Sequence, residues 1–249
     1  SGSEEAFAQE MTANAQELGM TGTQFRNASG WPDPEHFTTA RDLVTLATAI
    51  IRDFPEYYHI YAETEFSFNG IRQPNRNPLL YKAVGADGLK TGHTEASGYG
   101  LTASAQQKDR RLVMVLNGMI SKKQRAQESL RVMSWGFREW NRYPLFAAGE
   151  TVANAQVWLG TEAEVPMVVA EKVDLTMRRK HRDKLKVSLR HQEPVPAPVS
   201  KGTQVGSLVI EMPESEPIEV PLLAAQDVPA LGTFGRLNAA LQYLVWGEN

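Results

Sequence analysis

The sequence changes character once, near residue 145, and that change limits what the chain can fold into. Before it, helical and strand periodicities alternate. After it, almost every segment reads as a short strand between turn residues. Such a chain calls for a mixed α+β unit followed by a small all-β sandwich or barrel, because the two patterns bury their apolar faces in different layers. A length of 249 residues accommodates two such units. The expected division is 1–143, 144–231 and a closing helix over 232–249.

In the first part, Ser1 and Glu4 fit a capping box, and Phe7, Met11, Ala15 and Leu18 recur on one helical face. Residues 22–37, with Asn27, Ser29, Gly30, Pro32 and Asp33, read as a loop. A second helix starts at the cap signal of Thr39 and Asp42, carries Leu43, Leu46, Ala47, Ile50 and Ile51 as a stripe, and stops at Asp53 and Pro55. Glu65 to Gly70 reads as a strand, and Ile71 to Asn77 as an extended polar turn. Tyr99, Leu101, Ala103 and Ala105 alternate with small or polar residues, and Leu112 to Leu116 is a buried-strand run. The polar turn at 106–109 joins them into a hairpin. Glu128 to Trp140 returns to helical spacing through Leu130, Met133, Phe137 and Trp140.

In the second part, Lys184 to Arg190 alternates, with Leu185, Val187 and Leu189 on one side. Further strands are expected over 204–211 and 218–222, separated by Pro194, Pro196, Pro198 and Gly202. Phe234, Leu237, Leu241, Leu244 and Val245 share a helical face. That helix either docks on the β unit or begins an amphipathic helix lying on a membrane.

Composition removes several function classes. Twenty-six Lys and Arg against 29 Asp and Glu leave a net charge of −3, without the basic excess of a dedicated nucleic-acid binder. A mean hydropathy of −0.36 is that of a globular chain. No apolar run is long enough to span a bilayer, and no basic segment followed by an apolar one opens the chain. Zero cysteines exclude disulfides and thiol chemistry. The five histidines, His36, His59, His93, His181 and His191, lack paired ligand spacing, so no metal site is expected.

The strongest local signal is Asp87-Gly88-Leu89-Lys90-Thr91-Gly92-His93-Thr94, just before the alternating strand at Tyr99. Lys-Thr-Gly is one of three motifs of the penicillin-binding and β-lactamase group. A Lys there supplies a cation beside a nucleophile and a substrate carboxylate, a Thr hydroxyl hydrogen-bonds that carboxylate, and a Gly leaves the strand edge open. Taken alone, the tripeptide better suits a surface Lys at a strand start followed by a turn.

The flanking stretches widen the match. Ala40-Arg41-Asp42-Leu43, Ile51-Arg52-Asp53-Phe54-Pro55, Phe66-Ser67-Phe68-Asn69-Gly70-Ile71-Arg72-Gln73, Asn75-Arg76-Asn77 with Leu79-Leu80, and Trp135-Gly136-Phe137 occur in order around it. With them the chain resembles the low-molecular-mass penicillin-binding proteins, the D-alanyl-D-alanine carboxypeptidases of Gram-negative cell-wall metabolism, over nearly its whole length. The resemblance implies part of a penicillin-binding, transpeptidase-type domain of α+β class, then the family's β domain.

By resemblance, Lys90 and Thr91 are catalytic-motif residues, and Gly92 and His93 line the same cleft. Arg125 is the arginine that approaches the terminal D-alanine carboxylate, and Arg76 is a second arginine of the cleft or a brace for its turn. The implied activity is serine acyl transfer that removes terminal D-alanine from peptidoglycan stem peptides. It needs no cofactor, takes β-lactams as acylating analogues, and runs in the periplasm on the inner membrane, with the C-terminal helix as a peripheral membrane contact.

The sequence also departs from the family. No Ser is followed three residues later by Lys, and the Ser-x-Asn motif is missing from its place. Ser67-Phe68-Asn69 fits that bare pattern but lies downstream of it, in a strand, and Ser1-Gly2-Ser3 leads into a later helix. The chain is therefore expected to begin inside the catalytic domain, to lack its nucleophile and to be inactive alone. The tail Gly247-Glu248-Asn249 matches neither a docked helix end nor a family anchor. A non-catalytic peptidoglycan-binding protein, a D,D-endopeptidase and a β-lactamase relative are the alternatives.

Overall fold

The computed structural model describes residues 1–237. The chain divides into two compact units, one of Ser1–Arg138 and one from Glu139 on.

The first unit is built on a three-stranded antiparallel sheet of β3 (Ala86–Thr94), β4 (Gly98–Gln107) and β5 (Arg110–Met119), in that order. The hairpin between β4 and β5 turns at Lys108 and Asp109, with Lys108 at φ 56°. Alternation along β5 sends Leu112, Met114 and Leu116 to one face and Val113 to the other. On the first face they join Leu101, Ala103 and Ala105 of β4 and pack against Leu130, Met133 and Phe137 of helix α4 (Lys122–Glu139). Val113 packs with Ala47, Ile50 and Ile51 of α2 (Ala40–Asp53), and with Tyr58 and Leu89.

Helix α1 (Glu4–Glu17) forms where expected, but Ser3 is its cap, with Oγ accepting from Ala6 N–H at 3.2 Å, while Ser1 Oγ donates to Glu10. Its buried side is Ala8 and Ala15, whereas Phe7 and Leu18 of the expected stripe are exposed. Thr39 caps α2, accepting from Asp42 N–H at 3.1 Å. Pro55 also opens a short helix, α3 (Pro55–Tyr58), where its missing N–H carries no penalty. The polar stretch read as a turn is a strand. β2 (Ile71–Pro74) pairs with β1 (Glu65–Phe68) through Asn69 and Gly70, both at positive φ, the Asn-Gly turn that matches strand twist. Helix α4 begins at Lys122, six residues before the expected 128, because Ser121 Oγ accepts from Gln124 N–H at 3.1 Å and Gln124 Oε1 accepts from Ile120 N–H at 2.8 Å.

In the second unit β6 (Trp140–Phe146) starts at Trp140, expected to close the preceding helix, and pairs with β9 (Val173–Arg178). A six-stranded sheet runs in the order β10 (Lys186–His191), β12 (Gln204–Glu211), β13 (Ile218–Ala224), β8 (Glu164–Val169), β7 (Thr151–Trp158), β11 (Val195–Pro196). Leu175 and Met177 of β9 share one core with Val165, Met167, Leu208, Ile210 and Leu222, so the small sheet covers the large one. On the edge strand β10, Val187 and Leu189 are exposed rather than buried, since no strand lies beyond them among the described residues. Of the helix expected over 232–249, residues 233–237 are helical and the remainder lies outside the described residues. Among the described residues no helix is long and apolar enough to cross a membrane.

Candidate active site

Strand β3 is an edge strand, so Lys90 to His93 face an open border of the sheet. Its start is pinned by a polar network. Arg111 Nη1 donates to Asp87 Oδ1 at 2.9 Å, and Tyr58 Oη donates to the same oxygen at 3.2 Å. Burial pushes the Tyr58 hydroxyl up to about 12, so it stays protonated and keeps that donor role. Gly88 lies against this tyrosine, and a Cβ there would sit 2.6 Å from Tyr58 Oη. At the other end, Thr94 Oγ1 accepts from Ser97 N–H at 3.0 Å and closes the loop into β4.

A cleft of about 770 Å³ runs beside this strand. Lys90, Thr91, Gly92, His93, Arg76 and Arg125, separated by up to 49 residues in sequence, all line it. Lys90 is exposed, and its Nζ donates to the Thr91 carbonyl at 2.6 Å. A Cβ on Gly92 would meet nothing within 4 Å, so the strand edge is open there.

The two arginines reach the cleft by different routes. Arg125 lies in the first turn of α4, and that early helix start turns it inward with Ser129, Met133 and Phe137, leaving it 7% exposed. Asn75, Arg76 and Asn77 form a tight turn whose buried Asn77 donates from Nδ2 to the Gly88 carbonyl at 2.7 Å, fastening the turn to β3. The Arg76 carbonyl then accepts from Arg125 Nη2 at 3.2 Å, while the Arg76 side chain is exposed in the cleft. Arg125 Nε is buried and has no hydrogen-bond partner among the described residues. Burial holds its guanidinium below the usual arginine range, and the Arg76 charge adds to that. A buried cation with an unpaired donor has the chemistry to pair with an anion.

Sequence reasoning did not single out Ser29, Gly30, Tyr99, Asn117 and Lys122, which also line the cleft. Pairing could have found Tyr99, which lies directly opposite His93 once the β3–β4 hairpin is registered. Ser29 and Gly30 sit on a loop held by Asn27, whose Oδ1 accepts from Gly30 N–H at 2.8 Å and Trp31 N–H at 2.9 Å. A smaller, apolar groove of about 430 Å³ between α1, α2 and the sheet shares Ser29, Lys90, Thr91 and Asn117 with the cleft. Among the described residues no group of three His, Cys, Asp or Glu side chains could hold a metal ion.

A Lys-Thr-Gly edge strand flanked by helices and followed by a β unit defines the class of penicillin-binding proteins. Residues 1–120 match the D-alanyl-D-alanine carboxypeptidase family, and residues 140–230 match the penicillin-binding protein 5 C-terminal domain. The chain is 39% identical to D-alanyl-D-alanine carboxypeptidase DacC of Escherichia coli over 95% of its own length, and 35% identical to DacA of the same organism. It spans about 60% of the length of these curated relatives. Penicillin binding protein 5 from Haemophilus influenzae superposes with a TM-score of 0.78 at 33% identity, covering 92% of this chain and 67% of that one. The carboxypeptidase DacD from Francisella tularensis gives 0.73 at 25% identity, covering 92% and 69%. The chain belongs to the low-molecular-mass D-alanyl-D-alanine carboxypeptidase family.

Proposed function

We propose that these 249 residues form the carboxylate-gripping half of a serine-type D-alanyl-D-alanine carboxypeptidase site, followed by the family's β domain. The observation that carries this reading is the convergence of Lys90, Thr91, Arg76 and Arg125 on one cleft beside an open strand edge. A stem peptide lies along β3 through main-chain hydrogen bonds, the recognition mode of an added strand. Its C-terminal carboxylate meets the Thr91 hydroxyl and the Arg125 guanidinium, with Arg76 adding long-range attraction. Lys90 sets the cationic field beside the scissile carbonyl. In the family reaction a serine attacks that carbonyl, terminal D-alanine leaves, and water releases the shortened acyl group; β-lactams acylate the same serine.

The sequence has no Ser-x-x-Lys, so on this reading the 249 residues bind but do not turn over. A binding protein that keeps the cleft wall without chemistry is the second reading, and the sequence preceding Ser1 discriminates the two: a Ser-x-x-Lys there supports the enzyme, and its absence supports the binder. The setting we propose is the periplasmic face of the inner membrane, without a cofactor. Two measurements test the reading: reversible binding of an acylated D-Ala-D-Ala peptide, and labelling with a fluorescent penicillin. Peptide binding without a covalent adduct is expected. A covalent adduct overturns the assignment of a missing nucleophile, and no peptide binding overturns the grip.

A further inference from the structure

We propose that Tyr99 is the positioning residue of the cleft, its ring holding the Arg125 guanidinium and the His93 imidazole in the arrangement that a free peptide carboxylate requires. The inference rests on the carboxylate-binding reading given above.

Tyr99 touches both side chains. Its ring centroid lies 3.9 Å from that of His93, with the planes tilted by 32°. The Arg125 guanidinium carbon lies over the same ring, 5.8 Å from its centroid, within cation–π range. The backbone dictates this position. Tyr99 pairs directly with His93 on β3 and with Met119 on β5, and the β4–β5 register shifts between Tyr99 and Leu101. Such a bulge re-aims the side chain beside it. Gly100 permits the bulge, because a Cβ there would lie 2.4 Å from Asn117 Oδ1.

The ring matters because Arg125 has little else to hold it. Among the described residues its side chain makes one hydrogen bond, to the Arg76 carbonyl, and its Nε makes none. Loss of hydration and the nearby Arg76 charge both act to drive the guanidinium outward. One hydrogen bond fixes a point but not a plane, and bidentate recognition of a carboxylate requires the plane. The electron-rich face of Tyr99 supplies that second constraint and offsets part of the lost hydration. Stacking on the same ring orients His93 at the end of the motif strand. Tyr99 acts through its ring rather than its hydroxyl, so it is a positioning group and touches no reacting atom.

The test is calorimetric titration of the 249-residue chain with an N-acylated peptide ending in D-Ala-D-Ala, as the free acid and as the C-terminal amide. The wild-type chain should prefer the acid. Tyr99→Leu should cut that preference by about tenfold, the scale of losing a desolvated cation–π contact. Tyr99→Phe, which keeps the ring, should restore it, a rescue that a hydroxyl role would not give. In an Arg125→Gln background Tyr99→Leu should have no further effect on the acid-to-amide ratio. Should Tyr99→Leu fold poorly, Tyr99→Met supplies the ring-free comparison. A Tyr99→Leu or Tyr99→Met chain that keeps the full preference overturns the proposal, as does a Tyr99→Phe chain no better than either. Equal wild-type binding of acid and amide overturns the carboxylate reading itself, and shows before any variant is made.

Discussion

Arg125 donates from Nη2 to the main-chain carbonyl of Arg76 across 3.2 Å, so the buried arginine is anchored to its neighbour's backbone and not to its side chain. The Arg125 side chain is thereby held at the Arg76 turn while the two guanidinium charges oppose each other. Removing the Arg76 side chain leaves the anchor in place. Arg76→Ala is expected to weaken binding of a D-Ala-D-Ala free acid severalfold and to flatten its salt dependence, since an exposed charge acts at long range and is screened. Arg125→Ala is expected to weaken it well beyond that. Titrations at low and high salt separate the two, and equal losses would contradict the backbone anchor.

Glycines of the cleft strand and its neighbours should divide by what a methyl group meets. A Cβ on Gly92 meets open space, so Gly92→Val should leave thermal unfolding nearly unchanged while blocking peptide binding along the strand. Gly85 has φ 74°, and a Cβ there would lie 2.2 Å from the Gln106 carbonyl oxygen. Gly85→Ala should therefore destabilise by about 1–3 kcal/mol from the left-handed backbone alone, with the clash adding to it. Denaturant midpoints of the two variants decide the point.

Asp42 predicts an acid dependence. Its carboxylate accepts from Thr23 Oγ1 at 2.6 Å and Gly22 N–H at 2.9 Å, and the Thr23 hydroxyl above all holds it below its ordinary 3.8. The folded value is thus the lower one, and its stabilisation is complete above 3.8 and fades as pH falls through the folded value. Asp53 and Asp174 shift in the same direction, so the wild-type curve sums several groups. Asp42→Asn should lower stability at pH 7 and narrow the gap to wild type on acidification. A gap that stays constant down to about pH 2 would remove Asp42 from that account.

Met133 lies in the sheet–α4 core of the first unit, and Met167 in the core of the second. Truncation of either to Ala should cost about 2–5 kcal/mol in its own unit. Hydrogen exchange resolved by residue should show Met133→Ala accelerating amides of β3–β5 and sparing β8 and β12, with Met167→Ala doing the reverse.

The sequence carried its message most clearly where local chemistry decides. The Thr39 cap, the apolar stripe of α2 and the β4–β5 hairpin form as periodicity and turn residues indicate. Errors arose where tertiary context overrides pattern. Phe7 and Leu18 share a stripe but are exposed, because the small side chains of Ala8 and Ala15 let α1 pack closely on its other side. Asn69-Gly70 is a hairpin signal that the polar residues after it obscure, and Ser121 with Gln124 is a helix-start signal upstream of the periodic stripe. That second signal has the larger effect, since the early start of α4 is what turns Arg125 inward. All six residues picked from the motifs and the resemblance line one cleft, whereas Tyr99 and Asn117 contribute through strand pairing, which no linear motif records.

The exposed border of β3 has one last consequence. A guest laid against it would be read first by its amide groups, which every polypeptide shares, and only at its tip by the arginine pair. A groove arranged in this way is indifferent to most of what a peptide is made of and attentive to which end is free. On the reading proposed above it would tell a loose terminus from a continuous chain, and so respond to where a polymer stops.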